Sequence, residues 1–150
     1  MHSYLKFAAM IITSTVTMFA LMYLNTFELD HIFWSETRAY AALYMGATMA
    51  IIMLAFMLGM YTNRALNIGI FAGSAVVFAV ALFLLRSQAT VEDVSYMKAM
   101  IPHHSIAILT SSRANISDPR VRKLADQIRD TQVREIAEMK ALIADIEAKR

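Results

Sequence analysis

Two of the four histidines in this 150-residue chain are adjacent, His103-His104, and Met97 and Met100 lie within two helical turns upstream. Wound as a helix at 100° per residue, Met97, Met100, His103 and His104 share an arc of roughly 120°. Four potential metal ligands therefore fall on one face. Thioether sulfur is soft and suits Cu(I), whereas imidazole suits copper in either state, zinc and nickel, so the mixed face leans towards a copper ion, with Cu(I) favoured over Cu(II) or Zn. The plainer alternative is that the methionines fill a core and the histidines make ordinary polar contacts.

These residues need a helix to carry them and a partner to cover them. Thr90 followed by Asp93 resembles a capping box, which predicts a helix from Val91 to about Ser112. Pro102 lies inside it and predicts a kink or a fresh start there. Asp118 as N-cap and Pro119 at the first helical position then open a long last helix. Its apolar arc (Val121, Leu124, Ala125, Ile128, Ile136, Leu142, Ile143, Ile146) also contains Gln132, Glu135 and Met139. An inward carboxylate needs a partner because its unpaired desolvation costs several kcal/mol, of order 2–7 for polar groups in general. In an antiparallel hairpin that partner is a histidine or a histidine-bound metal. A Glu–His hydrogen bond without any metal remains the structural alternative.

The rest of the chain has a different solvent. Its residues are 58% hydrophobic. Phe7 to Phe27, Ala39 to Asn63 and Ala65 to Leu85 carry no Asp, Glu, Lys or Arg, and each is long enough to cross a hydrocarbon core of about 30 Å. Three transmembrane helices in residues 1–86 and a water-facing hairpin in residues 87–150 are expected. The first run is too long for a signal-peptide core and lacks a cleavage site, so it reads as an anchor. Lys6 and Arg64 flank one side, while the first loop holds Glu28, Asp30 and Glu36 against Arg38. The positive-inside tendency then puts the N-terminus in the cytoplasm and the hairpin outside. Met45, Met49, Met53, Met57 and Met60 form a stripe that reads as packing rather than a metal track, and Gly69-x-x-x-Gly73 is a small-residue face for close helix approach. The net charge of +2 and the lack of a basic stripe with aromatics argue against nucleic acid as a partner. Cysteine is absent, so disulfides and thiolate sites are excluded.

Asp93, Tyr96-Met97, Met100-Ile101-Pro102-His103-His104, Ala107-Ile108 and Gln132-x-x-Glu135-Ile136-x-x-Met139 together resemble the domain of unknown function 305 family over residues 90 to 146. Thr110 and Leu142 stand where that family usually has a methionine and a tryptophan. The resemblance implies a ferritin-like helix arrangement, often extracytoplasmic and copper-associated. It also implies His103, His104, Met97, Met100 and Met139 as ligands, with Glu135 and Gln132 as ligands or their supports. The three preceding spans resemble a membrane-anchored form of the family, which implies a multi-pass protein of the bacterial cytoplasmic membrane with a periplasmic hairpin.

The expected fold is all-α, a half-bundle completed by dimerisation, since one hairpin buries little apolar surface. The expected function is non-enzymatic copper binding, with the lipid bilayer, a second copy and a metal donor or acceptor protein as partners. The competing function is an assembly module in which the His–Glu contacts only fix helix packing. A di-iron enzyme requires several inward glutamates and Glu-x-x-His pairs. The chain reads as offering one seam glutamate and no such pair.

Overall fold

The computed structural model describes the backbone of residues 2–149 and the side chains of residues 3–149. Among these residues there are five α-helices, one 3-10 turn and no strand: α1 His2–Leu21, the 3-10 turn Leu29–His31, α2 Glu36–Phe56, α3 Arg64–Ser87, α4 Asp93–Arg113 and α5 Pro119–Ala148. They form two compact units.

The first unit comprises residues 1–22 and 37–90. Its helices α1 (from Ser3), α2 and α3 are each long and apolar enough to cross a membrane. Phe7, Ala50, Leu54 and Tyr61 are buried together, and Met53 and Met57 pack against them with Ile11 and Ile70. Part of the methionine stripe thus fills helix contacts. Gly46 lets α1 approach α2, since a Cβ there would run into the Thr15 side chain. Tyr4 Oη donates to Asn67 Oδ1 at 2.9 Å, and Asn67 Nδ2 donates to the Tyr61 carbonyl at 2.7 Å. A polar knot therefore closes the end of the unit where α1 starts and α2 turns into α3. Leu5, Ile12 and Val16 on α1, and Ile68, Val76, Val80 and Phe83 on α3, are exposed. That outer surface suits hydrocarbon far better than water.

The second unit is the α4/α5 hairpin together with residues 23–36. On α4 the buried positions Val94, Met97, Ile101, Ser105 and Ile108 recur at spacings of three and four, the period of one helix face. They meet Ile136 and Ile143 of α5, with Met139 and Ile146 against the seam. The helices run antiparallel: Lys98 pairs with Glu147, His104 with Glu135, and Arg122 reaches the Ser111 carbonyl.

Several local expectations change. The helix continues unbroken through Pro102, which is wholly buried in the seam. Its N-cap is Glu92, not Thr90; the Thr90 hydroxyl instead hydrogen-bonds with that of Tyr40 at 2.8 Å. Helix α1 ends at Leu21 rather than near Phe27. The segment beyond it is tied to the hairpin: the Phe27 amide donates to Ser105 Oγ at 2.7 Å, Ser95 Oγ donates to Glu36 at 2.9 Å, and Phe33 packs on the core. Asp118 caps α5 as expected, accepting from the Arg120 amide at 2.8 Å.

Candidate metal centre

On α4, Met97, Met100 and His104 stand at i, i+3 and i+7 and so form a single stripe. On α5, Gln132, Glu135 and Met139 do the same. Antiparallel pairing brings the two stripes together around a groove of about 490 Å³ that Met97, Met100, His104, Glu135 and Met139 line, with Tyr96 and Leu142 among the others. Met97 belongs to the buried seam, and Met139 packs against it.

His104 is the best-defined polar group there. Its Nδ1 lies 3.0 Å from the Met100 carbonyl and its Nε2 lies 2.8 Å from Glu135 Oε2. A carbonyl oxygen only accepts, so Nδ1 carries the hydrogen and Nε2 is turned towards Glu135. A proton between Nε2 and Oε2 completes that contact. A metal ion taken up at Nε2 would displace that proton. The Nδ1–H to carbonyl bond is the kind of outer contact that fixes the tautomer and ring orientation of a metal-binding histidine. Gln132 Nε2 donates to the same Glu135 oxygen at 3.3 Å and so steadies the carboxylate without lining the groove.

His103 is placed differently. It is exposed and lies outside the groove lining, its ring centroid 6.4 Å from that of His104. Neighbouring residues on a helix diverge by 100°, so a His-His pair gives the groove one imidazole and solvent the other.

A second group that could hold a metal ion was not anticipated. One ligand atom each from Glu28, Asp30 and His31 lie within 4.8 Å of one another. The expectation that the chain has no Glu-x-x-His pair is corrected by Glu28-x-x-His31 in the first loop, and that spacing is the signal that marks the group. Lys140 Nζ lies 2.6 Å from Asp30 Oδ2. Its hydrogen bond to the carboxylate, with a further contribution from its charge, holds Asp30 below the usual carboxylate range against the opposing effect of desolvation.

The molecule is thus an all-helical chain with three helices fit to cross a membrane, a helical hairpin bearing a Met/His/Glu groove, and a Glu/Asp/His group that could bind a metal. Residues 93–150 match the family described as Domain of unknown function (DUF305). The chain is also similar to an uncharacterized protein of Acanthamoeba polyphaga mimivirus, 29% identical over 143 residues, covering 90% of this chain and 91% of the relative. That similarity extends well beyond the hairpin into the apolar helices. No solved structure matches.

Proposed function

We propose that the chain is a membrane-anchored, non-enzymatic metal-binding protein whose hairpin groove takes up a soft ion, copper in its Cu(I) state before Cu(II) or Zn(II). The observation that carries this reading is the orientation of His104. With Nδ1–H given to the Met100 carbonyl, Nε2 faces Glu135 in a groove that three thioethers also line. Imidazole with thioethers is a soft donor set, and Glu135 is poised to accept the displaced proton or join the ligands.

Placement on the outer face of a bacterial cytoplasmic membrane completes the proposal. Three spans put the α1–α2 connection and the segment after α3 on the same side of the bilayer, and residues 23–36 do share a unit with the hairpin. That loop carries Glu28, Asp30 and Glu36, whereas Lys6 and Arg64 flank the opposite side. A homodimer fits the exposed apolar residues Val121, Leu124 and Leu142 of α5, which one partner helix leaves uncovered. A donor or acceptor protein would exchange the ion.

The direct His104–Glu135 contact also favours the assembly-module reading, because such a pair fixes helix register unaided. The two readings separate in a Cu(I) competition titration of the full-length protein in detergent, with analytical ultracentrifugation alongside. Tight binding lost in His104→Ala supports the metal reading. Absence of binding, with an oligomeric state indifferent to chelator, refutes it and supports the module.

A further inference from the structure

The loop Tyr23–Glu36 carries donor chemistry that the thioether groove does not use. Glu28 is the N-cap of the 3-10 turn Leu29–His31. The N-cap Glu28 and the last residue of the turn, His31, bring their side chains to 3.8 Å, with Asp30 adjacent.

The His31 imidazole is buried, its side chain only 8% exposed. Its Nδ1 lies 2.9 Å from Ser105 Oγ. Its Nε2 faces Asp30 Oδ1 at 3.6 Å and Glu28 Oε2 at 3.8 Å. Both distances exceed a hydrogen bond. Two ligand atoms each about 2.1 Å from one ion, at a tetrahedral or wider angle, stand roughly 3.4–4.2 Å apart. His31 Nε2 is therefore too far from either carboxylate to share a proton and near enough to share an ion, and all three ligand atoms lie within 4.8 Å of one another.

The outer contacts agree. The second ring nitrogen is held by Ser105, which is wholly buried on α4, and the second carboxylate oxygen of Asp30 is held by Lys140 on α5. Each leaves the inner atom of its residue free of the outer partner, as outer partners do when they orient metal ligands. Glu28 and Asp30 are more than half exposed on their solvent side, which leaves room for water to complete the coordination.

We propose that Glu28, Asp30 and His31 form a second metal site, for a borderline divalent cation of the Zn(II) class. One imidazole and two carboxylates without sulfur suit such a cation and select against Cu(I). The ion would join the loop to the hairpin through Ser105 and Lys140. The site goes beyond the groove reading and stands independently of it.

The experiment is a competition titration of the detergent-solubilised full-length protein with Zn(II) and, separately, Cu(I). It compares the unaltered protein, a Glu28→Gln, Asp30→Asn double variant and His104→Ala. Both loop positions are exposed and the replacements isosteric; far-UV circular dichroism checks that helix content is kept. Zn(II) affinity should fall at least on the order of 10–100-fold in the loop variant, the loss typical of removing even an outer partner, while Cu(I) affinity is unchanged. His104→Ala should leave a Zn(II) site that the loop variant lacks. Equal Zn(II) affinity in the loop variant and the unaltered protein overturns the proposal, whatever happens to Cu(I). Loss of Cu(I) binding alone would bear only on the groove.

Discussion

Replacing Ser105 with alanine isolates the device that ties the first loop to the hairpin. The hydroxyl is wholly buried and serves two groups from one loop, the Phe27 amide at 2.7 Å and His31 Nδ1 at 2.9 Å. The Phe27 amide sits in a part-buried contact and can turn to water. His31 cannot, being nearly enclosed. The cost is therefore that of one buried polar atom left without its partner, about 1–3 kcal/mol. It falls on the free energy that separates the docked loop from the released one, not on the hairpin core. At about 1.4 kcal/mol per tenfold, exchange of the loop amides should speed up roughly 5- to 140-fold. The probes are the amides of His31 and Ile32, whose acceptors Glu28 and Leu29 lie inside the loop and survive the substitution. Hydrogen–deuterium exchange of the full-length protein in detergent, read peptide by peptide, supplies the rates. Trp34, the sole tryptophan, lies in the same segment and gives a fluorescence readout of release. Loop exchange unchanged within about twofold, or an equal rise across α5, would refute the reasoning, because the hydroxyl would then be either idle or part of the global core.

Other substitutions probe separate links. Ile101→Ala should destabilise the hairpin by about 2–5 kcal/mol, since Ile101 is completely buried in the α4/α5 seam, and hydrogen–deuterium exchange of the α4 and α5 amides measures it. Gly46→Ala should weaken the α1/α2 contact by about 1–3 kcal/mol through collision with Thr15, with partial recovery in a Thr15→Ala background, as read by unfolding in mixed detergent. Asp118 is held below the usual carboxylate range by its side-chain hydrogen bond to Arg120 and by the Arg120 and Val121 amides. Its stabilising effect on the first turn of α5 is therefore complete above the ordinary aspartate pKa and disappears as pH falls through the lowered folded value. Faster exchange of the Arg120 amide in Asp118→Ala, relative to the unaltered protein, should thus be constant above about pH 5 and vanish in strong acid; a difference that grows on acidification contradicts the assignment.

The chain discloses its local physics readily. Charge-free runs locate the three apolar helices because a charged side chain inside hydrocarbon is so costly. Asp118-Pro119 announces the start of α5 because a cap and a proline act on their own backbone. Helical period alone gathers Met97, Met100, His104, Glu135 and Met139, since all five sit on two helices joined by a short turn. Long-range contacts are less legible. Apolar composition carries the first run to Phe27, yet α1 stops at Leu21 because Tyr23–Glu36 is recruited by Ser105, whose partner Phe27 lies 78 positions away. A separation of 74 positions from Ser105 likewise hides His31, whose buried environment comes from α4. His103 is a different case: adjacency in sequence makes the His-His pair conspicuous, while helical geometry sends its two rings to different surroundings.

The groove reading meets its most direct test in an anaerobic Cu(I) competition titration of the full-length protein in detergent, run beside His104→Ala and His103→Ala. Orientation of His104 by the Met100 carbonyl predicts tight Cu(I) binding that His104→Ala weakens by more than the 10–100-fold cost of losing an outer-shell contact, whereas His103→Ala, on the exposed side, changes it little. Equal Cu(I) affinity in the unaltered protein and His104→Ala would contradict the assignment of the groove as a metal centre.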